Sequence, residues 1–268
     1  MIENPFVLVL NSLLPEPQAS LLNGMLFGIR ADMSYSFYQA LQVTGVLHVI
    51  ALSGMNISIL IDIVGKLLYP FGKKISAVFS IIFIIGFVIF VGASPTVVRA
   101  AIMGSMGLVA IIFGKRYWSL LALFLASGVM LLFRPDWIYD ISFQLSFLAT
   151  VGIILANKVV KREFSKRWSK QLIYAFKENL VMTLSAQLFT FPVIVYNFGR
   201  ISLISPVVNI LIGWTVQPIM IFGMITTIAG WIWLPLGVIP AWVSWVFLTY
   251  FVKVVEMMAE VPGASISL

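Results

Sequence analysis

Ile75-Ser76-Ala77-Val78-Phe79-Ser80-Ile81-Ile82-Phe83-Ile84-Ile85-Gly86-Phe87-Val88-Ile89-Phe90-Val91-Gly92 contains no charged side chain. A helix of about 18 residues rises roughly 27 Å, close to the roughly 30 Å hydrocarbon thickness of a bilayer. Similar runs lie on both sides of it. Val46 to Tyr69 precedes it, with Asp62 and Lys66 near its end and Pro70-Phe71-Gly72 closing it. Thr96 to Gly114 follows Ser94-Pro95 and contains Arg99. Tyr117 to Phe133, Ile141 to Asn157 and Leu180 to Phe198 come next, the last holding Pro192. From Arg200 to Lys253 no charge interrupts the chain, which is long enough for two crossings, and Leu234-Pro235-Leu236-Gly237 divides them. The pattern predicts an all-α polytopic membrane protein of about eight spans. Pro206 and Pro218 interrupt backbone hydrogen bonding in the seventh, which is expected to be broken or re-entrant.

Composition excludes a soluble globular domain. Of 268 residues, 61% are hydrophobic and 10% charged, with a mean hydropathy of +1.05, against roughly 25% charged in soluble proteins. The formal charge of +7 suits an anionic partner such as nucleic acid or lipid headgroups, although positive-inside topology also yields a basic chain. Cysteine is absent and His48 is the single histidine, which rules out disulfides and ordinary Cys/His zinc sites. Met1-Ile2-Glu3-Asn4-Pro5, ahead of the apolar Phe6 to Leu14, lacks the basic head and cleavage site of a secretory signal. So abrupt a start reads as that of a piece cut from something larger.

The basic residues orient the spans. Lys73, Lys74, Lys115, Arg116, Lys158, Lys161, Arg162, Lys166, Arg167, Lys170 and Lys177 all fall in alternate loops. The positive-inside rule places those loops in the cytoplasm and both chain ends outside. Within one transmembrane domain covering 1–268, residues 1–45 are expected to form a re-entrant or surface segment on the outer side. Residues 158–177 should form a basic cytoplasmic interfacial segment, in which Lys161, Arg162, Lys166 and Arg167 meet membrane lipid.

Polar residues sunk in apolar spans are costly and mark function. His48, Leu52 and Asn56 recur every fourth position, so a continuous helix carries the histidine and asparagine on one stripe, with Ser53 and Gly54 between them. That stripe is either a wet path or a tight helix contact. Arg99 keeps its proton and needs water, an acid or an anion: a salt bridge to Asp140 or Asp62, or a phosphate. Asp140 and Gln144 share a stripe at a span's start, with Ser142, Ser146 and Thr150 beside it. Asn209, between Pro206 and Pro218, is expected to serve the freed carbonyls of a broken helix. Pro95 also marks a helix break. Trp231, Trp233, Trp242 and Trp245 offer base-stacking faces or interfacial anchors.

Enzyme chemistry finds little support. Ser53 has no histidine on another span to activate it, and no Gly-x-Gly-Asp complements Tyr139-Asp140 as in an intramembrane aspartyl protease. No phosphate loop is present either. Passage of a solute is the better-supported class, with a small-anion transporter or an intramembrane enzyme centred on Asp140 and Arg99 as alternatives.

Four ordered motifs resemble the competence domain of the ComEC family of DNA-internalisation channels. They begin with Leu14-Pro15-Glu16-Pro17-Gln18 through Arg30 and with Gly45-Val46-Leu47-His48 through Gly54-Met55-Asn56. Ser94-Pro95-Thr96-Val97-Val98-Arg99-Ala100-Ala101-Ile102-Met103 is similar to the family's P-x-x-x-R-A-x-x-M element. Asp140-Ile141-Ser142-Phe143-Gln144-Leu145-Ser146-Phe147-Leu148-Ala149-Thr150 is similar to its D-x-x-F-Q-L-S-F-x-A-T element. Ser205-Pro206 to Asn209 and Pro218 look like its later proline helix. Asn56 stands where the family usually has histidine. The resemblance implies passage of single-stranded DNA across the cytoplasmic membrane in natural transformation, with no cofactor. For such a channel the energy source is expected to be external, a cytoplasmic translocase or capture of the emerging strand by binding proteins, and a DNA receptor outside is a further candidate partner. The OB-like and metallo-β-lactamase-like domains common in the family do not fit in this chain, which is expected to be a fragment or a core-only member.

Overall fold

In the computed structural model of the chain, residues 4–29, 33–50, 52, 54–159 and 168–267 are described. They form twelve α-helices, consistent with the all-α expectation: α1 (Pro5–Leu13), α2 (Gln18–Phe27), α3 (Tyr35–Val43), α4 (Leu47–Ile50), α5 (Gly54–Leu68), α6 (Lys73–Val91), α7 (Pro95–Ile112), α8 (Ser119–Phe133), α9 (Ile141–Val159), α10 (Trp168–Phe198), α11 (Ser205–Ile232) and α12 (Leu234–Ala259). A three-residue strand pair, β1 (Arg200–Ser202) and β2 (Ser265–Ser267), is a minor addition. Six of the helical segments are long and apolar enough to cross a membrane, and the shorter α8 and α9 are apolar as well. Each of the eight expected spans thus contains one of these apolar helices. The fifteen residues of α8 reach only about 22 Å, however, which is short of the hydrocarbon thickness.

The chain divides into two compact units, residues 1–59 with 202–266 and residues 60–201 with 267–268. The first unit is built on the α11–α12 hairpin, against which α1 and α2 pack. Asn4 caps α1 by accepting from the Phe6 N–H at 3.1 Å, ahead of Pro5, whose fixed φ suits a first helical position. Gly28, at φ +72°, ends α2 in the left-handed conformation that glycine adopts without strain. Every residue of α2 from Gln18 to Leu26 is buried. A helix with no distinct polar face can bury all round, and Gln18, Ser20 and Asn23 are buried together with the apolar residues. At the tip of the hairpin, a Cβ on Gly237 would lie 2.9 Å from the Cα of Gly230, so two glycines permit the backbones to meet.

Four expectations are corrected here. The stretch from Val46 to Tyr69 is not one helix: α4 ends at Ile50, Leu52 is non-helical and α5 starts at Gly54. The fourfold spacing of His48, Leu52 and Asn56 therefore places no common stripe, because the helical register does not continue through Leu52. The seventh span is not broken. α11 runs unbroken for 28 residues, with Pro206 in its first turn, where the missing N–H has no intrahelical role, and Pro218 inside. Just before Pro218, Thr215 Oγ1 donates to the Ile212 carbonyl at 2.6 Å and Tyr250 Oη to the Leu211 carbonyl at 3.2 Å. Asn209 serves no such break, since its Nδ2 donates to Ser205 Oγ at 3.3 Å within the first turns. Likewise Pro95 opens α7 and breaks nothing.

The second unit holds the α6–α7 hairpin, α8 beside α7, and α9 packed on α7, α8 and α10. A Cβ on Gly152 of α9 would meet the Ser185 carbonyl oxygen of α10 at 2.6 Å, which fixes these two helices in close contact. α10 is continuous from Trp168, so the later part of the expected interfacial segment belongs to a long helix. Lys161, Arg162, Lys166 and Arg167 lie outside the described residues.

Candidate functional site

The second unit brings two of the sequence motifs together. Pro95 pre-sets the first turn of α7, and Arg99 follows one turn later. On α9, Phe143 stacks on Phe147 at 6.3 Å, and Phe147 meets Phe124 of α8 edge-on at 5.8 Å. These rings hold α9 so that Ser146 faces α7. Arg99 Nε donates to Ser146 Oγ at 2.8 Å, and Nη1 contacts Met103 Sδ, one turn along α7, at 3.4 Å. Thr150 in turn donates to the Ser146 carbonyl at 2.7 Å.

The Arg99 side chain is only 7% exposed. Among the described residues no carboxylate pairs with it, and the ion pair that is present joins Lys66 to Asp62 at 2.7 Å on an exposed turn of α5. Of the two alternatives open to Arg99, the salt bridge to Asp140 or Asp62 is therefore not formed among the described residues. A guanidinium carries five N–H donors. A hydroxyl and a thioether engage two of them and supply no negative charge. A buried cation without a counter-charge is costly in an apolar setting.

Asp140 has a different task. Its Oδ1 accepts from the Ser142 N–H at 2.7 Å and the Phe143 N–H at 3.2 Å, which caps α9. Gln144 folds back to donate to the Ile138 carbonyl at 2.9 Å. Asp140 and Gln144 thus both serve the start of the helix that carries Ser146.

The remaining candidates belong to the first unit. Asn56 is fully buried and donates from Nδ2 to the Met25 carbonyl at 2.8 Å, tying α5 to the last turn of α2. Gly54 opens α5, and its carbonyl accepts from Ser58 Oγ at 2.9 Å. His48 is exposed, with Nδ1 3.2 Å from the Gly45 carbonyl. Ser53 lies outside the described residues. Trp231, Trp233 and Trp242 are exposed, Trp231 lies 5.6 Å from Phe6, and Trp242 meets Trp245 at 5.9 Å.

Reasoning from the sequence missed Met103, although it stands in the quoted proline–arginine motif four residues after Arg99. It also missed the Asn23–Asn11 hydrogen bond of 2.7 Å that joins α2 to α1. The i, i+4 spacing of arginine and methionine was the available signal for the first. Nothing in the spacing of Asn11 and Asn23, which sit on separate helices, pointed to the second.

A family model described as competence protein matches residues 25–268. ComE operon protein 3 of Bacillus subtilis (strain 168) is 29% identical over 203 residues, covering 75% of this chain and 25% of that protein. An uncharacterized protein of Aquifex aeolicus (strain VF5) is 33% identical over 115 residues, covering 43% of this chain and 27% of that one. The chain therefore spans about a quarter of the length of the curated relatives it matches. No solved structure matches. With a family match over nearly its whole length and a set of long apolar helices, this membrane protein belongs to the competence protein family.

Proposed function

We propose that this chain forms the membrane channel through which single-stranded DNA crosses the cytoplasmic membrane in natural transformation, as a conduit and not an enzyme. One observation carries the reading: Arg99 is a buried cation on an apolar helix with no carboxylate partner among the described residues. Passing phosphates supply the missing charge. Ser146 aims the guanidinium, and Met103 lets it turn, because a thioether is a soft, weak acceptor that gives up its contact readily. Such contacts carry no sequence information, which suits passage of any strand. The competence family match supports DNA as the substrate.

In this reading the basic loops face the cytoplasm, and the segment with Lys161, Arg162, Lys166 and Arg167 rests on anionic lipid. A receptor outside delivers the strand, and a cytoplasmic translocase or strand-binding protein draws it in.

Transformation frequency in a strain relying on the Arg99→Ala variant tests the proposal. Losing a desolvated charge contact costs about 2–3 kcal/mol, so uptake should fall roughly a hundredfold at equal protein level. Arg99→Lys, which keeps the charge, should recover part of it. Unchanged uptake with Arg99→Ala contradicts the proposal.

A further inference from the structure

The α6–α7 hairpin is not closed along its length. A groove of about 860 Å³ lies between the helices, lined by Ile81, Ile84 and Val88 of α6 and by Ala101, Val109 and Ala110 of α7. Its lining runs along α7 from Val98 to Ala110 and on to Phe113 just past the helix end, a rise of about 22 Å. Nearly all of its surface is apolar, and Lys115, just past the end of α7, is the one charged residue on it among the described residues.

The same end of this antiparallel hairpin carries Lys73 and Lys74 at the start of α6 and Arg116 beside Lys115, all exposed. No acidic residue occurs between Asp62 and Asp136, and Asp62 is engaged by Lys66. Four cations, with no acidic residue between them in sequence, thus gather at one end of the hairpin, where Lys115 stands at the mouth of the groove. A second copy of the chain would bring the same four cations to that mouth, whereas an acyl chain ending in an anionic headgroup matches both the lining and the charge.

We propose that the groove between α6 and α7 binds one anionic phospholipid, its acyl chain lying along Ile84, Val88, Ala101 and Val109 and its phosphodiester held at Lys115. At the opposite end Arg134 lines a separate, smaller pocket with Ala93, Val98 and Ile102, so the direction of the lipid rests on Lys115, the charged residue that lines the groove itself. The site stands independently of the DNA reading.

Native mass spectrometry of the full chain in neutral detergent, with equal amounts of dioleoylphosphatidylglycerol and dioleoylphosphatidylcholine, tests the site. The wild type should retain the glycerol lipid about fivefold over the choline lipid, the preference expected when a lysine near the headgroup distinguishes them. Lys115→Glu, at an exposed position, should erase the preference and leave chain binding intact. Ala110→Trp, which fills the groove beside Lys115, should lower retention of both lipids. Equal retention of the two lipids by the wild type, or an unchanged preference in Lys115→Glu, overturns the proposal. So does a lipid-free dimer that Ala110→Trp converts to monomer. None of these results bears on uptake through Arg99.

Discussion

In the first unit the buried amides are neutral and bonded within it: Asn23 to Asn11, Asn56 to the Met25 carbonyl and Gln18 to Thr249 at 3.2 Å. In the second, Arg99 is buried with a full charge, hydrogen-bonded to Ser146 and in contact with Met103, with Tyr117 near enough to interact electrostatically and no carboxylate partner among the described residues. Amide pairs of the first kind hold helices together without lipid-facing polarity. A lone guanidinium of the second kind costs stability, because leaving a charge in an apolar setting without a counter-charge is unfavourable. Buried polarity alone is thus a poor guide to function in this fold; the charge state and the partner decide.

The sharpest test of that contrast is the sign of two stability changes, read as thermal unfolding in the same detergent. Arg99→Met keeps the packing of the stem and removes the uncompensated charge, so it should stabilise by about 1–4 kcal/mol. Asn56→Ala leaves a buried carbonyl without this donor and should destabilise by about 1–3 kcal/mol. Two losses of similar size would break the comparison and make Arg99 another structural group. A smaller effect separates capping from charge at Asp140. Asp140→Ala should cost about 1 kcal/mol of stability, while Asp140→Asn, an equally good cap, should change stability by less than about 0.5 kcal/mol and leave transformation intact. A large loss of uptake in Asp140→Asn would place its charge, and not its capping bonds, in the mechanism.

The eight apolar helices were legible because charges and glycine–proline punctuation bound each run, as Lys73-Lys74 and Gly92 to Pro95 do around α6. The break between α4 and α5 was not, because the residues from Val46 onward keep a helical spacing of apolar side chains, and Gly54 is the only weak local signal. Pro206 misled for a related reason: a proline reads as a breaker, yet in a first turn it is preorganised. The burial of α2 lay beyond the sequence, since an apolar run of ten residues fits a surface, a re-entrant or a buried position equally well. At the site, Arg99 was legible as an intramembrane cation. Its partner was not, because the choice among Ser146, Asp140 and Asp62 depends on how α9 and α5 are placed against α7.

The most direct test of the central claim, that Arg99 takes a phosphate, is the salt dependence of single-stranded DNA binding by the chain in nanodiscs of neutral lipid, wild type against Arg99→Gln. Each phosphate contact on a single strand contributes about 0.7 to the slope of log affinity on log salt, so the variant's slope should be shallower by about that amount. Identical slopes in the two proteins would contradict it.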